Sequence, residues 1–246
     1  MVAFAAGCDR PARGSETSSD DAPGIYGIST SLPIVWPEVH DIADMLDPDR
    51  PGHWALAALR ERGEVRPLDT LADETGALPL PAGAVLVLAQ PYPFSPQEYV
   101  ALDNWVRGGG RVLLFADPML TFHSRFALGD RRRPQDIVKL DPILARWGLA
   151  LTRDDDGTHG ETTVEVGGVP IPVAEPGSFT ATQLSPCRTS HDGLIAECAV
   201  EKGRVLAIAD ATLLEDGEPS QDADSRRAAF IALLARLTDT KSRAGR

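Results

Sequence analysis

The sequence predicts an α/β fold: a doubly wound, mostly parallel sheet carrying an inserted antiparallel β subdomain. Three observations predict it. A continuous apolar run at residues 84–89 and a second buried strand at 111–117 flank a helical pattern at about 96–106, and strand, helix and strand joined by short connections wind right-handed into a parallel sheet. A further buried strand, 203–210, leads into a closing helix. Between them, residues 149–200 alternate β-type runs with turn signals, the mark of an antiparallel insertion or flap. Runs apolar throughout belong to strands covered on both faces, which gives the sheet its flavodoxin-like character.

The elements follow in chain order. Residues 25–28 read as a first short strand, followed by a loop over 29–37 stiffened by Pro33 and Pro37. A helix comes next, with Pro51 near its first turn, a face of Trp54, Ala55, Ala58 and Leu59, and a stop at Gly63. Residues 64–68 form a short strand and 84–89 a buried one. The helix at 96–106 carries Tyr99, Leu102, Trp105 and Val106 on one side and ends at Gly108, Gly109 and Gly110. After the strand at 111–117 the pattern loosens until Asp141 and Pro142 start a short helix through Trp147, with Gly148 as its C-cap. Residues 162–166 and 169–173 are strands around Gly167 and Gly168. The closing helix, from about Ser225, places Phe230, Leu233, Leu234 and Leu237 on one face.

Composition narrows the function. The chain has 246 residues, enough for one substantial core, and a net charge of −12 that repels phosphate backbones and anionic lipid, so no nucleic-acid partner is expected. No stretch approaches the roughly 20 apolar residues of a membrane span. Residues 1–8 resemble the remnant of a bacterial lipoprotein signal peptide, small residues ending at Cys8, which would carry the lipid. Ala5 departs from the leucine usual there. The alternative is an ordinary N-terminus that happens to hold a cysteine. Residues 9–23 have the composition of a flexible tether, 24–240 form the α/β domain with its β-rich insertion at about 149–200, and 241–246 read as a disordered tail.

Three cysteines divide in the same sense. With Asp192 and Gly193 as a two-residue hairpin turn, position 190 pairs with 195 and Cys187 falls opposite Cys198, within reach of a disulfide that persists only in an oxidising compartment. The other reading is two reduced cysteines buried as small hydrophobes.

The run from Leu88 to Pro118, with Gln90-Pro91, Phe94-Ser95-Pro96, Leu102-Asp103-Asn104-Trp105, Gly108-Gly109-Gly110 and Asp117-Pro118, resembles the central motif of the GldG-like family. Residues 140–149 and 210–214 extend the likeness over most of 25–240. These are auxiliary, extracytoplasmic components of uncharacterised ABC transport systems, related to the intraflagellar-transport GIFT domain. The resemblance implies a class I glutamine amidotransferase-like fold and, as partners, ABC permease and ATPase subunits. It also implies placement at the periplasmic face of the inner membrane, with membrane contact only through a lipid on Cys8. Amidotransferases present a nucleophilic cysteine in the turn where this chain has Asp117-Pro118-Met119, so the resemblance implies no catalysis. The chain also lacks the C-terminal membrane span of longer members.

Other chemistry is weakly supported. Gly27 to Ser31 is the nearest approach to a nucleophile elbow, but Leu32-Pro33 follows instead of a helix. The three glycines at 108–110 lie after a helix rather than before one, so they are a C-cap and turn and not a phosphate cradle. Asp154, Asp156, Thr158 and Glu165 have calcium-loop spacing, but His159 stands where the loop needs glycine. The histidines show no paired ligand spacing, and no metal or cofactor is expected. Arg131, Arg132 and Arg133 read as a solvated loop, with docking of an acidic partner as the alternative.

Wound sheets bind ligands at the carboxyl ends of their strands. There the chain offers Ser29, Thr30, Ser31 and Trp36, then Gln90 and Tyr92, then Asp117, then Asp210 and Thr212, a set able to hold a small polar ligand such as a sugar or peptide fragment. The competing reading has Asp117 and Asp210 capping turns and Trp36 packed under its loop. Three functions follow: a non-catalytic binding or adaptor subunit, a degenerate hydrolase using Asp117 or Asp210, and a purely structural interaction module. Two carboxylates with raised pKa in one cleft would favour the hydrolase.

Overall fold

The computed structural model describes residues 24–39, 52–153, 160–215 and 222–238. The first strand, β1 (Gly24–Thr30), is followed by helix α1 (Trp54–Arg60), β2 (Gly63–Pro67), β3 (Val85–Ala89), α2 (Pro96–Arg107) and β4 (Arg111–Phe115). Next come α3 (Asp141–Arg146), β5 (Leu149–Arg153), β6 (Glu161–Val166), β7 (Val169–Ala174), β8 (Gly177–Ala181), β9 (Cys187–Ser190) and β10 (Ile195–Val200). The chain closes with β11 (Gly203–Ile208), a 3-10 turn at Thr212–Leu214 and α4 (Asp222–Thr238).

Seven strands form one sheet in the order β2-β1-β3-β4-β11-β10-β9. The first five are mutually parallel, and β10 and β9 extend the sheet antiparallel beyond β11. The order reverses between β1 and β3: β2 lies to one side of β1, while β3, β4 and β11 march away on the other. The central strands show why uninterrupted apolar runs were needed. Val87, Leu113 and Leu206 face a core closed by α1 and α4, whereas Leu86, Leu114 and Val205 face a second core closed by α2 and α3. A strand turns alternate side chains to opposite faces, so only an unbroken hydrophobic run can serve both.

Local signals explain the helices. Ser95 caps α2 in a reciprocal capping box with Glu98, Pro96 starts it, and Gly108 ends it. Gly109 takes a φ of 121°, and a Cβ on Gly110 would stand 2.3 Å from the Trp105 ring, so this turn admits glycine for both backbone and packing reasons. The side chain of His53 caps α1, accepting from the Ala55 N–H at 3.1 Å, while its Nε2 lies 3.0 Å from the Leu214 carbonyl. Pro51 falls outside the described residues.

The β-rich region differs from a single inserted flap. β5 pairs with β8 and β6 with β7 in separate two-stranded sheets, but β9 and β10 join the main sheet. The hairpin register puts Ser190 opposite Ile195 and Cys187 opposite Cys198, and those two cysteines are bonded as a disulfide. Asp192 and Gly193 both have positive φ, 54° and 88°, as a tight primed turn demands. The lipid position Cys8, the tether at 9–23, the tail at 241–246 and the acidic residues Asp154 and Asp156 with Thr158 lie outside the described residues.

Candidate functional site

A cleft of about 600 Å³ opens where the strand order reverses. Ser29 and Thr30, the last residues of β1, form its floor, with Leu68 and Asp69 following β2 and Tyr92 and Phe94 following β3. Trp36 and Glu38 come from the loop after β1, and Phe126, Arg131 and Arg132 from the irregular segment after β4. Parallel strands release their connecting loops to opposite faces at such a reversal, which leaves a crevice between them.

Five of the nine residues expected at the strand ends line this cleft: Ser29, Thr30, Ser31, Trp36 and Tyr92. Trp36 is 69% exposed, so the reading in which it packs under its loop is wrong. Burial raises the Tyr92 phenol above its ordinary pKa. The remaining four, Gln90, Asp117, Asp210 and Thr212, do not reach the cleft. All four are buried: the side chains of Gln90, Asp117 and Asp210 bind backbone groups, whereas the Thr212 hydroxyl has no hydrogen-bond partner among the described residues.

Their hydrogen bonds show what they do instead. Gln90 accepts from the Asp117 N–H at 2.8 Å and donates to the carbonyls of Asp117 and Gln135 at 3.0 and 2.8 Å. It sews the end of β3 to the end of β4 and to the segment that walls the cleft. Ser31 completes the seam, donating to the Gln90 carbonyl and accepting from the Gln135 N–H at 2.9 Å. Asp117 accepts from the N–H groups of Met119 and Ala211, and Asp210 from those of Thr212 and Ala174. Both aspartates cap turns, as the competing reading had it.

These carboxylates nonetheless have unusual electrostatics. Burial pushes Asp117 up to about 7, against the pull of its two backbone donors, and the charges of Glu215 and Glu175 add to the rise. Burial and then the neighbouring Asp117 push Asp210 well above the ordinary carboxyl range. The electrostatic half of the hydrolase signature is therefore present, but the two groups are 0% and 1% exposed and neither lines the cleft between β1 and β3.

Other polar groups of the cleft are engaged by the protein. Glu98 accepts from the N–H groups of Leu71 and Ser95. Glu38 accepts from the Ser124 hydroxyl at 2.6 Å and the Arg125 N–H at 2.9 Å. Arg132 binds Asp130 and lies 4.1 Å above the Phe126 ring. Arg133 turns away to Asp136 and the Phe126 carbonyl, so the arginine run is only partly solvated. Sequence reasoning missed Asp69, Phe94 and Phe126 as lining residues, because they lie in the irregular segments after β2, β3 and β4, which carry no periodicity that would place them. Among the described residues no cluster of metal-ligating side chains occurs, and no helix is long and apolar enough to cross a membrane.

Residues 29–155, just over half of the chain, match the family ABC_transp_aux, described as an ABC-type uncharacterized transport system. The chain belongs to this family. No curated protein sequence matches it. Among solved structures it is similar to the mmIFT52 N-terminal domain, with a TM-score of 0.52 and 13% identity over 87% of this chain and 97% of that one. It is also similar to the exo-β-1,4-mannosidase Op5Man5 from Opitutaceae bacterium strain TAV5, with a TM-score of 0.51 and 14% identity over 88% of this chain. The chain spans only 36% of that mannosidase, and at these identities both likenesses concern the fold.

Proposed function

We propose that the protein is a non-catalytic, extracytoplasmic auxiliary subunit of an ABC-type transport system that holds a small polar ligand, a sugar or peptide fragment, in the cleft between β1 and β3. One observation carries the reading: every residue that lines the cleft lies within 29–155, the segment that defines family membership. The parallel strand order β2-β1-β3-β4-β11 supports a flavodoxin-like winding, in which a ligand would sit at the first reversal. The family match and the likeness to the mmIFT52 N-terminal domain support the GldG-like, GIFT-related and amidotransferase-like assignment.

The Cys187–Cys198 disulfide supports an oxidising compartment, and a lipid on Cys8 would tether the domain at the periplasmic face of the inner membrane. At the turn after β4, where a related fold would present a nucleophile, Asp117 is enclosed with both carboxylate oxygens occupied, which supports a role without catalysis. The test is isolation of the tagged chain from membranes of its native host after mild crosslinking. Recovery of an ABC ATPase and permease is the expected result. A chain isolated repeatedly without either subunit, or recovered from the cytoplasm with both hairpin cysteines reduced, overturns the proposal.

A further inference from the structure

The polar groups of the cleft divide into those the protein already satisfies and those it leaves open, and the open ones are informative. Thr30 is closed on its own turn, accepting from the Leu32 N–H at 2.9 Å, and Ser31, Glu38, Glu98 and Arg132 are engaged as described above. Among the described residues, the Ser29 hydroxyl, the Asp69 carboxylate and the Arg131 guanidinium have no hydrogen bond or ion pair. Asp69 and Arg131 are both exposed, carry opposite charge and line the same cleft without pairing to each other.

A ligand that fills the cleft displaces water from both groups, and each then needs a partner of opposite sign. A neutral sugar supplies neither. A purely anionic ligand meets Asp69, and a purely cationic one meets Arg131. Apolar surface is available from Trp36, Tyr92, Phe94 and Phe126 for whatever joins the two charges, and the volume is that of a small-molecule site.

Resting on the ligand-holding reading above, we infer that the cleft binds a small zwitterion of the peptide class. The ligand's carboxylate pairs with Arg131, its ammonium with Asp69, and its side chains lie against Trp36 and Tyr92. This selects the peptide branch over the sugar branch.

The experiment is calorimetric titration of the full chain with four probes: the dipeptide Ala-Phe, its N-acetylated form, its C-terminal amide and the neutral disaccharide maltose. The free dipeptide binds, and blocking either end weakens binding about fivefold, the size expected for one partly solvated charge pair. Arg131→Ala removes the penalty for amidation but keeps that for acetylation, and Asp69→Ala does the reverse. Such cross-specific losses exclude a general effect on folding, and unchanged urea midpoints of both variants confirm it. Maltose binding that neither substitution alters, with no heat from the dipeptide, overturns the zwitterion assignment and leaves the ligand-holding reading standing. Silence from all four probes also overturns the assignment, while association with the transporter is decided separately by the membrane isolation.

Discussion

Asp103 does what no sequence pattern announced. It lies on the buried side of α2, where its Oδ2 accepts from Arg107 at 2.9 Å and from Arg146 of α3, and its Oδ1 accepts from the Trp147 indole at 3.2 Å. Burial alone would raise this carboxyl, but the guanidinium hydrogen bonds outweigh it and hold the group below the ordinary aspartate range. The two stretches that carried the family resemblance, around Leu102-Asp103-Asn104-Trp105 and Arg146-Trp147, are thus fastened to each other through one side chain. Asp103→Ala leaves the Trp147 indole N–H without its acceptor and removes the partner shared by Arg107, which keeps Glu201, and the exposed Arg146; it is expected to cost about 2 kcal/mol, read as a drop in the urea midpoint. A midpoint within error of the parent would show that α2 and α3 are held by packing alone. Other residues show why polar roles are hard to read from sequence. Gln90 and Asp117 were placed correctly at strand ends, yet an amide or carboxylate there can turn outward to a ligand or inward to a backbone N–H. The outcome depends on the path of residues 118–140, which no periodic pattern specifies.

At the scale of elements, legibility followed periodicity. The helix at Pro96–Arg107, the strands at Val85–Ala89 and Arg111–Phe115 and the hairpin register were readable because capping residues, unbroken apolar runs and a primed turn each have one structural meaning. The joining of β9 and β10 to the main sheet was not, since alternating β patterns say which face is buried but not against which sheet. Two predictions belong here. Gly110→Ala forces a methyl group against the Trp105 ring, whose indole already donates to the Leu80 carbonyl at 3.0 Å, and should cost about 2 kcal/mol in thermal or urea unfolding. Replacing Cys187 and Cys198 together by alanine releases the hairpin at the edge of the sheet and should lower stability by about 2–3 kcal/mol, the loop-closure value for a separation of 11 residues. Hydrogen exchange should speed up first in β9 and β10 while the amides of β3 and β4 stay protected. Uniform loss of protection across all seven strands would instead make the hairpin part of the cooperative core.

For the whole molecule, the decisive asymmetry is that one end of the sheet gathers acid. Asp117 and Asp210 lie at the ends of neighbouring strands, with Glu215 and Glu175 close enough to raise Asp117, in a chain whose net charge is already −12. Glu215 is itself raised by burial, and the buried Arg226 offsets only part of that. Asp117 has an ordinary value of 3.8 when exposed and about 7 in the fold, so between these values the folded chain binds the proton more tightly than the unfolded chain. Stability from this group is therefore fully present below about pH 4 and is lost as the pH rises through about 7. A shift of this size corresponds to as much as about 4 kcal/mol, with Asp210 acting in the same direction. The protein should accordingly be more resistant to urea at pH 5 than at pH 7.5, although its disulfide and packing are the same at both. Asp117→Asn removes the titration and also relieves Asp210 of a like charge. The substitution exchanges one acceptor for an NH₂ group facing a backbone N–H, so its absolute stability falls at every pH, and only the difference between the two midpoints is diagnostic. That difference should shrink to less than half of the parent's. If it persists unchanged, the pH dependence arises elsewhere in the acidic surface and the buried pair is already neutral across the range.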